Sequence, residues 1–187
     1  MNEPSRGNGR KSLLLIAAIA FVPMLVAYGV FFFAPEIIPQ TTTNRGELVS
    51  PPKDVSEHVP TSDGWRLITL VQSSCDAACA ELIYQVRQIH IALGKNSDRV
   101  SRTLVTPSPL DSTKSAELRV AYPNLEIRTD PQLARLLPAS KAGANPNAFV
   151  VYVVDPLGQV VMAYDTERVG KPLLLDLKHL LKVSSIG

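Results

Sequence analysis

The hydrophobic pattern divides the chain into one long apolar segment near the N-terminus and a region of shorter, periodic segments. Residues 13–34 contain no charged side chain, and at about 1.5 Å per residue they span roughly 33 Å, which matches a bilayer core. The pattern therefore predicts a transmembrane anchor at 13–34 behind a short tail, residues 1–12. A cleaved signal peptide is the alternative, but its apolar region would be shorter, whereas this one continues through Phe31, Phe32 and Phe33.

Residues 35–62 interrupt the periodicity. They contain five prolines among many serines and threonines, with too little apolar surface for a packed element. We interpret them as a linker that becomes an ordered lead-in to a domain spanning residues 63–187.

From Trp65 onward, segments with an apolar residue at every second position alternate with segments whose apolar residues are three and four apart. This alternation predicts strands and helices in turn. The first predicted helix, residues 76–93, has an apolar stripe at spacings of three and four, and Ser73 or Ser74 can cap it. This succession predicts an α/β thioredoxin-like fold, with a central mixed sheet and helices on both faces. The predicted strands are 65–71, 99–106, 125–129, 148–154 and 159–165, and the predicted helices are 76–93, 112–123, 131–138 and 171–183.

Charge sets the orientation and limits the partners. Arg6, Arg10 and Lys11 precede the anchor and Glu36 follows it, so the positive-inside rule places the N-terminus in the cytoplasm. In a bacterium, the protein would be a single-pass inner-membrane protein with a periplasmic domain. Residues 1–34 account for the whole formal charge of +2, so the outer domain is neutral. We expect the bilayer to be a partner through residues 13–34, and we expect no nucleic acid to bind.

The only two cysteines, Cys75 and Cys79, lie where the first predicted strand passes into the first predicted helix, in "SSCDAACAEL". A helix N-terminus favours a thiolate, so this is a candidate site for thiol chemistry. Residues four apart on a helix have Cβ atoms about 5–6 Å apart, whereas a disulfide needs about 3.5–4.5 Å. The pair can therefore close only if Cys75 lies in the loop or at the cap. Two thiolates can instead bind Cu(I), and a structural disulfide or two inert cysteines are further alternatives.

Three segments resemble the Sco (SenC) family of cytochrome c oxidase assembly factors. They are "CDAACAELIYQVRQIHIALGKNSDRVSRTLVT", "AFVVYVVDPLGQVVMAYD" and "NRGELVSPP", and together with the single anchor they extend the resemblance over most of residues 44–182. The resemblance implies that Cys75 and Cys79 act as redox-active thiols or copper ligands. It also implies that the partner is a cytochrome c oxidase subunit or another oxidase assembly factor, and it favours an assembly factor over a turnover enzyme.

The sequence departs from the Sco pattern at the site itself. Asp76 stands where the family usually has proline after the first cysteine, and the family's copper-binding histidine falls on Asn147, eleven residues before Gly158. The family's Asp-Pro-x-x-Asp-Thr segment is altered to "TPSPLDST". His58 lies in the linker, where we expect it to be solvated. Any Cu(I) should therefore be bound weakly, by Cys75 and Cys79 without a third protein ligand.

Three functional hypotheses follow. The first is a Sco-like factor that reduces the cysteines of an oxidase copper site or transfers copper to them. The second is a general thiol-disulfide oxidoreductase in which Cys75 attacks and Cys79 resolves. The third is a non-catalytic scaffold in which the two cysteines form a structural disulfide.

Overall fold

The computed structural model describes residues 7–34, 44–59, 63–72, 75–138 and 149–184, and the chain forms two compact units, Met1–Thr43 and Asn44–Gly187. The first contains helix α1, Gly7–Phe33. Within it, Gly9–Phe33 has a mean hydropathy of 2.5 and the length to cross a membrane. The helix begins six residues earlier than the predicted span because Gly7 to Ser12 continue its backbone geometry.

The second unit alternates strands and helices around one sheet. Its strands are β1 (Glu47–Asp54), β2 (Trp65–Leu70), β3 (Val100–Thr106), β4 (Leu125–Thr129), β5 (Val150–Val154) and β6 (Gln159–Asp165). Its α-helices are α2 (Ala77–Ala92), α3 (Ser112–Ala121), α4 (Pro131–Leu136) and α5 (Lys171–Val183), and a 3-10 helix at Gly94–Arg99 connects α2 to β3.

The sheet is mixed, with strand order β1-β6-β5-β2-β3-β4. Strands β2, β3 and β4 are parallel, whereas β5 is antiparallel to β2, β6 to β5 and β1 to β6. Leu70 at the end of β2 pairs with Val105 on one side and Val150 on the other. The carboxyl ends of β2 and β3 and the amino end of β5 therefore lie side by side at the same end of the sheet.

Both faces of the sheet are covered, as the sequence predicted. On one face Leu67 and Leu104 pack with residues of α2, α3 and α5. On the other face Ile68 and Leu70 pack with Leu133 of α4 and with the segment that follows β1. All six residues of β2 are buried, as expected for a central strand between two layers.

Strand β1 corrects the prediction that residues 35–62 contain no packed element. Glu47–Asp54 pairs antiparallel with β6, and Val55 and Val59, which follow it, are 1% and 2% exposed. The strand escaped prediction because Pro51 and Pro52 interrupt its pattern. Proline is compatible with this position because β1 is an edge strand, and the β1–β6 register shifts between Leu48 and Lys53.

A buried carboxylate on α5 holds the start of the second unit in place. Asp176, 4% exposed, accepts hydrogen bonds from the backbone N–H groups of Arg45 (2.7 Å) and Gly46 (3.0 Å) and from the Tyr164 hydroxyl (2.8 Å). A Cβ at Gly46 would overlap the Tyr164 ring, so only glycine allows this approach. The Asn-x-Gly lead-in of residues 44–46 therefore has a structural role here.

Ionisation of Asp176 couples this network to pH. Burial is the largest single influence and opposes ionisation. The hydrogen bonds from Gly46, Arg45 and Tyr164 together outweigh it and hold the pKa of Asp176 below its ordinary value of 3.8. Because the folded-state pKa is the lower one, this stabilisation is fully present above about pH 5. It is lost as the pH falls through 3.8 and then through the folded-state pKa.

We predict that Asp176→Asn lowers the free energy of unfolding at pH 7 by about 2–4 kcal/mol, because hydrogen bonds to a charged acceptor contribute roughly 1.5–3 kcal/mol each. The variant should also lose less stability than wild type between about pH 5 and pH 3. Urea unfolding of the full chain in detergent measures both effects, since Trp65 is the sole tryptophan and reports on the second unit. The exposed Asp98→Asn is the matched control and should match wild type. Equal acid sensitivity of Asp176→Asn and wild type would contradict the assignment.

Candidate functional site: a cysteine pair at the start of α2

Cys75 and Cys79 form a disulfide across the junction between β2 and α2. Cys79 lies in the first turn of α2, whereas Cys75 precedes the helix, and their Cα atoms are 5.1 Å apart. This is the arrangement that the spacing required, with Cys75 outside the regular helix. Cys79 is fully buried and Cys75 is 8% exposed, so Cys75 is the more accessible of the two.

Asp76 caps α2. Its carboxylate accepts a hydrogen bond from the Cys79 backbone N–H at 3.1 Å, so the predicted cap at Ser73 or Ser74 was wrong. Aspartate is among the strongest N-cap residues and interacts favourably with the positive end of the helix dipole. Asp76 also follows Cys75 directly in the sequence, and in general a neighbouring negative charge disfavours a thiolate, whereas a helix N-terminus favours one. The departure from proline at position 76 therefore has a structural explanation.

The remainder of α2 anchors the pair in the core. Its apolar stripe is buried as predicted, and both cysteines belong to the same cluster as this stripe and the α5 residues Leu173 and Leu177. Val71, which follows β2, and Phe149, which precedes β5, also belong to this cluster. The cysteines thus lie in the core, at the end of the sheet where β2 terminates.

Thr106, the last residue of β3, lies at the same end of the sheet and was not predicted as a site residue. It is 1% exposed, and its hydroxyl has no hydrogen-bond partner within the described part of the chain. The sequence offered only a weak signal, a threonine before proline at a strand end where the Sco pattern has aspartate.

Other candidate ligands lie elsewhere or are not described. His58 is 17% exposed, and its Nδ1 lies 3.3 Å from an Asp130 carboxylate oxygen, so the expectation of a solvated histidine was wrong. Asn147 lies outside the described residues. Among those that are described, no group of three or more His, Cys, Asp or Glu residues could hold a metal ion.

Comparison with known proteins identifies the class. Residues 65–184 match the family model for the transmembrane-like, thioredoxin-like C-terminal domain, and residues 4–34 match the model for the transmembrane-like N-terminal domain. The chain therefore belongs to this family of thioredoxin-like proteins. The match confirms the predicted fold and extends over the anchor segment. No curated protein matches the sequence significantly.

Solved structures that resemble the chain include Sco proteins and peroxiredoxins. Copper-bound ScoI of Bradyrhizobium japonicum is 20% identical, with a TM-score of 0.45 over 64% of this chain and 86% of that one. BsSco, described as a member of the Sco family of cytochrome c oxidase assembly proteins with a disulfide switch, is 13% identical, with a TM-score of 0.48 over 78% and 99%. Peroxidoxin BcpB of Mycobacterium tuberculosis is 15% identical, with a TM-score of 0.48 over 75% and 97%.

We predict that the two roles of Asp76 can be separated by two substitutions in the reduced full chain. Asp76→Ala removes the cap and should destabilise the second unit by about 1 kcal/mol in urea unfolding. Asp76→Asn keeps a capping oxygen and should remain within about 0.5 kcal/mol of wild type.

The asparagine variant also removes the charge beside Cys75. It should therefore react faster than wild type with iodoacetamide at pH 7, by a few-fold, because a neighbouring negative charge disfavours the thiolate. Equal stability of the alanine variant and wild type would refute the capping role. A slower reaction of the asparagine variant would refute the electrostatic one.

Proposed function

We propose that this chain is a membrane-anchored thiol-disulfide exchange protein whose working group is the Cys75–Cys79 pair. The observation that carries the proposal is the position of the disulfide, which joins a loop cysteine to a first-turn cysteine at the N-terminus of α2. The family match supports it, because it extends over the domain that contains the pair.

The unequal burial of the two cysteine residues, 8% exposed for Cys75 and 0% for Cys79, supports one order of the steps. The reduced Cys75 thiolate attacks one sulfur of a client disulfide, and the client's second sulfur leaves as a thiolate. Cys79 then attacks the Cys75 sulfur of this mixed disulfide and releases the client's first sulfur. Two electrons pass to the client, the Cys75–Cys79 bond forms, and an external dithiol reductant restores the pair.

The client follows from the sequence resemblance rather than from the site. We propose that the client is the cysteine pair of a cytochrome c oxidase copper site, or another oxidase assembly factor, because three segments of the sequence resemble Sco proteins in order and spacing. The charge distribution around α1 supports a domain on the periplasmic side of the bacterial inner membrane.

Cu(I) is a second proposed cargo of the reduced pair. Two thiolates are soft donors that suit Cu(I), and the pair lies at the N-terminal end of a helix, with Cys75 the less buried of the two. His58 is held by Asp130, 3.3 Å away, so it does not complete the set in this structure. We therefore expect weak binding suited to transfer rather than a resident copper centre.

The exchange mechanism predicts that Cys79→Ser accumulates a mixed disulfide. Incubated with an oxidised peptide containing one cysteine pair, the variant should trap the peptide on Cys75, because no resolving thiol remains. Wild type should reduce the peptide without accumulating the adduct. Cys75→Ser is the matched control and should trap little, because Cys79 is fully buried. Mass spectrometry of the full chain in detergent measures the adduct. Equal trapping by both single variants would contradict the assigned order.

The same variant tests the orientation. In intact cells with a permeabilised outer membrane, Cys75 of Cys79→Ser should react with a membrane-impermeant maleimide. Labelling only after lysis of the inner membrane would place the domain in the cytoplasm.

The copper proposal predicts that Asn147→His raises the Cu(I) affinity of the reduced chain. One added ligand should strengthen binding by about tenfold or more, if it contributes over about 1.4 kcal/mol after ordering and strain. Competition titration with a Cu(I) chelator measures this, and Cys75→Ser should abolish binding in both backgrounds. Unchanged affinity of Asn147→His would contradict a copper site that includes this position.

A further inference from the structure

The unpartnered hydroxyl of Thr106 calls for a physical explanation. A buried hydroxyl without a hydrogen bond costs about 1–3 kcal/mol, and most buried polar groups are therefore paired. Thr106 is 1% exposed, and its Oγ1 has no partner within the described residues while the cysteines are joined.

The side-chain alternation along β3 places this hydroxyl on the face of the sheet that carries the cysteines. Val100 and Leu104 belong to the cluster that contains Cys75 and Cys79, and Thr106 has the same parity along the strand. Val105 faces the opposite layer, with Leu133 of α4. The Thr106 side chain therefore points toward the layer of α2.

The strand register places Thr106 at the level where the chain leaves the sheet for Cys75. Leu70 pairs with Val105, and the Val71 N–H donates to the Val105 carbonyl at 3.0 Å, so Val71 and Thr106 are neighbours across β2 and β3. Val71 is fully buried in the cluster that contains both cysteines, and Cys75 follows four residues later.

We propose that Thr106 is a positioning residue for thiol-disulfide exchange, whose hydroxyl donates a hydrogen bond to a sulfur of the Cys75–Cys79 pair once the disulfide opens. This role rests on the exchange function proposed above. In the overall reaction an external dithiol gives two electrons to the pair, the Cys75–Cys79 bond breaks, and a disulfide forms in the reductant. The two protons of the reductant pass to the released sulfurs or to solvent.

The consequence is a bias toward the reduced state. No sulfur among the described residues accepts from the hydroxyl while the disulfide is closed. Opening the disulfide frees each sulfur to rotate about its Cα–Cβ bond, and a thiolate is a charged acceptor, so the hydroxyl gains its partner only after reduction. Thr106 thus destabilises the oxidised form, where its hydroxyl is buried without a partner, and stabilises the reduced form. Both effects raise the reduction potential of the pair.

The test is the equilibrium between the full chain in detergent and a dithiothreitol redox buffer, compared for wild type, Thr106→Val and Thr106→Ser. Valine has nearly the same shape without the hydroxyl, and serine keeps the hydroxyl. We expect Thr106→Val to shift the equilibrium toward the disulfide by about tenfold, or roughly 30 mV, and Thr106→Ser to stay within about threefold of wild type. Oxidised Thr106→Val should be at least as stable as wild type in urea, because it lacks the unpartnered hydroxyl.

The outcomes separate this role from the exchange function. An unshifted Thr106→Val equilibrium, with the pair still reducible, overturns the role of Thr106 alone. Equal shifts in the valine and serine variants overturn it too, because the hydroxyl would then not be the cause. A wild-type disulfide that resists excess dithiothreitol overturns both this role and the proposed exchange function.

Discussion

Burial of β2 between two layers is the constraint on which the position of the cysteine pair depends. Each of its six residues is buried, with α2 and α5 on one face and α4 on the other, so the chain leaves the sheet only at the end of the strand. That exit lies beside the end of β3 and the start of β5, and Cys75 and the first turn of α2 follow at once. The sheet therefore determines which side chains surround the cysteines.

The disulfide itself contributes little to holding this fold together. It links residues four apart, and closing so short a loop stabilises a protein by only about 2 kcal/mol in the chain-entropy model. Two extensive apolar clusters and the Asp176 network connect distant parts of the second unit instead. Opening the disulfide therefore need not unfold the domain, as an exchange function requires.

The sequence predicted the parts of the fold that depend on local pattern. Strands β2, β4 and β6 and helix α5 were predicted within one residue of their bounds, because their apolar periodicity is clear and turn or cap residues flank them. Strand β1 was missed because its pairing with β6 is a long-range contact, and Pro51 and Pro52 resemble a linker when read locally. The predicted serine cap was wrong because serine and aspartate are both strong N-cap residues, and the local pattern does not show whether the helix begins after Ser73, Ser74 or Asp76.

The site was predictable only in part, because some of its contacts join segments that are far apart in the sequence. The spacing of Cys75 and Cys79 required that one cysteine lie outside the helix, and this is a local argument. The place of Thr106 depends on the register between β2 and β3, and the Asp130 partner of His58 depends on packing between segments far apart in the chain. Neither contact can be predicted from the local pattern of a single sequence.

The central claim is that the Cys75–Cys79 disulfide is an exchangeable group on a domain that is folded in both redox states. The most direct measurement combines the reduction potential of the wild-type pair with near-ultraviolet circular dichroism of the reduced and oxidised full chain. We expect a potential above about −300 mV, outside the range of structural disulfides, and a reduced spectrum that retains the native tertiary signal. A potential below about −300 mV, together with loss of the tertiary signal on reduction, would contradict it and identify the disulfide as structural.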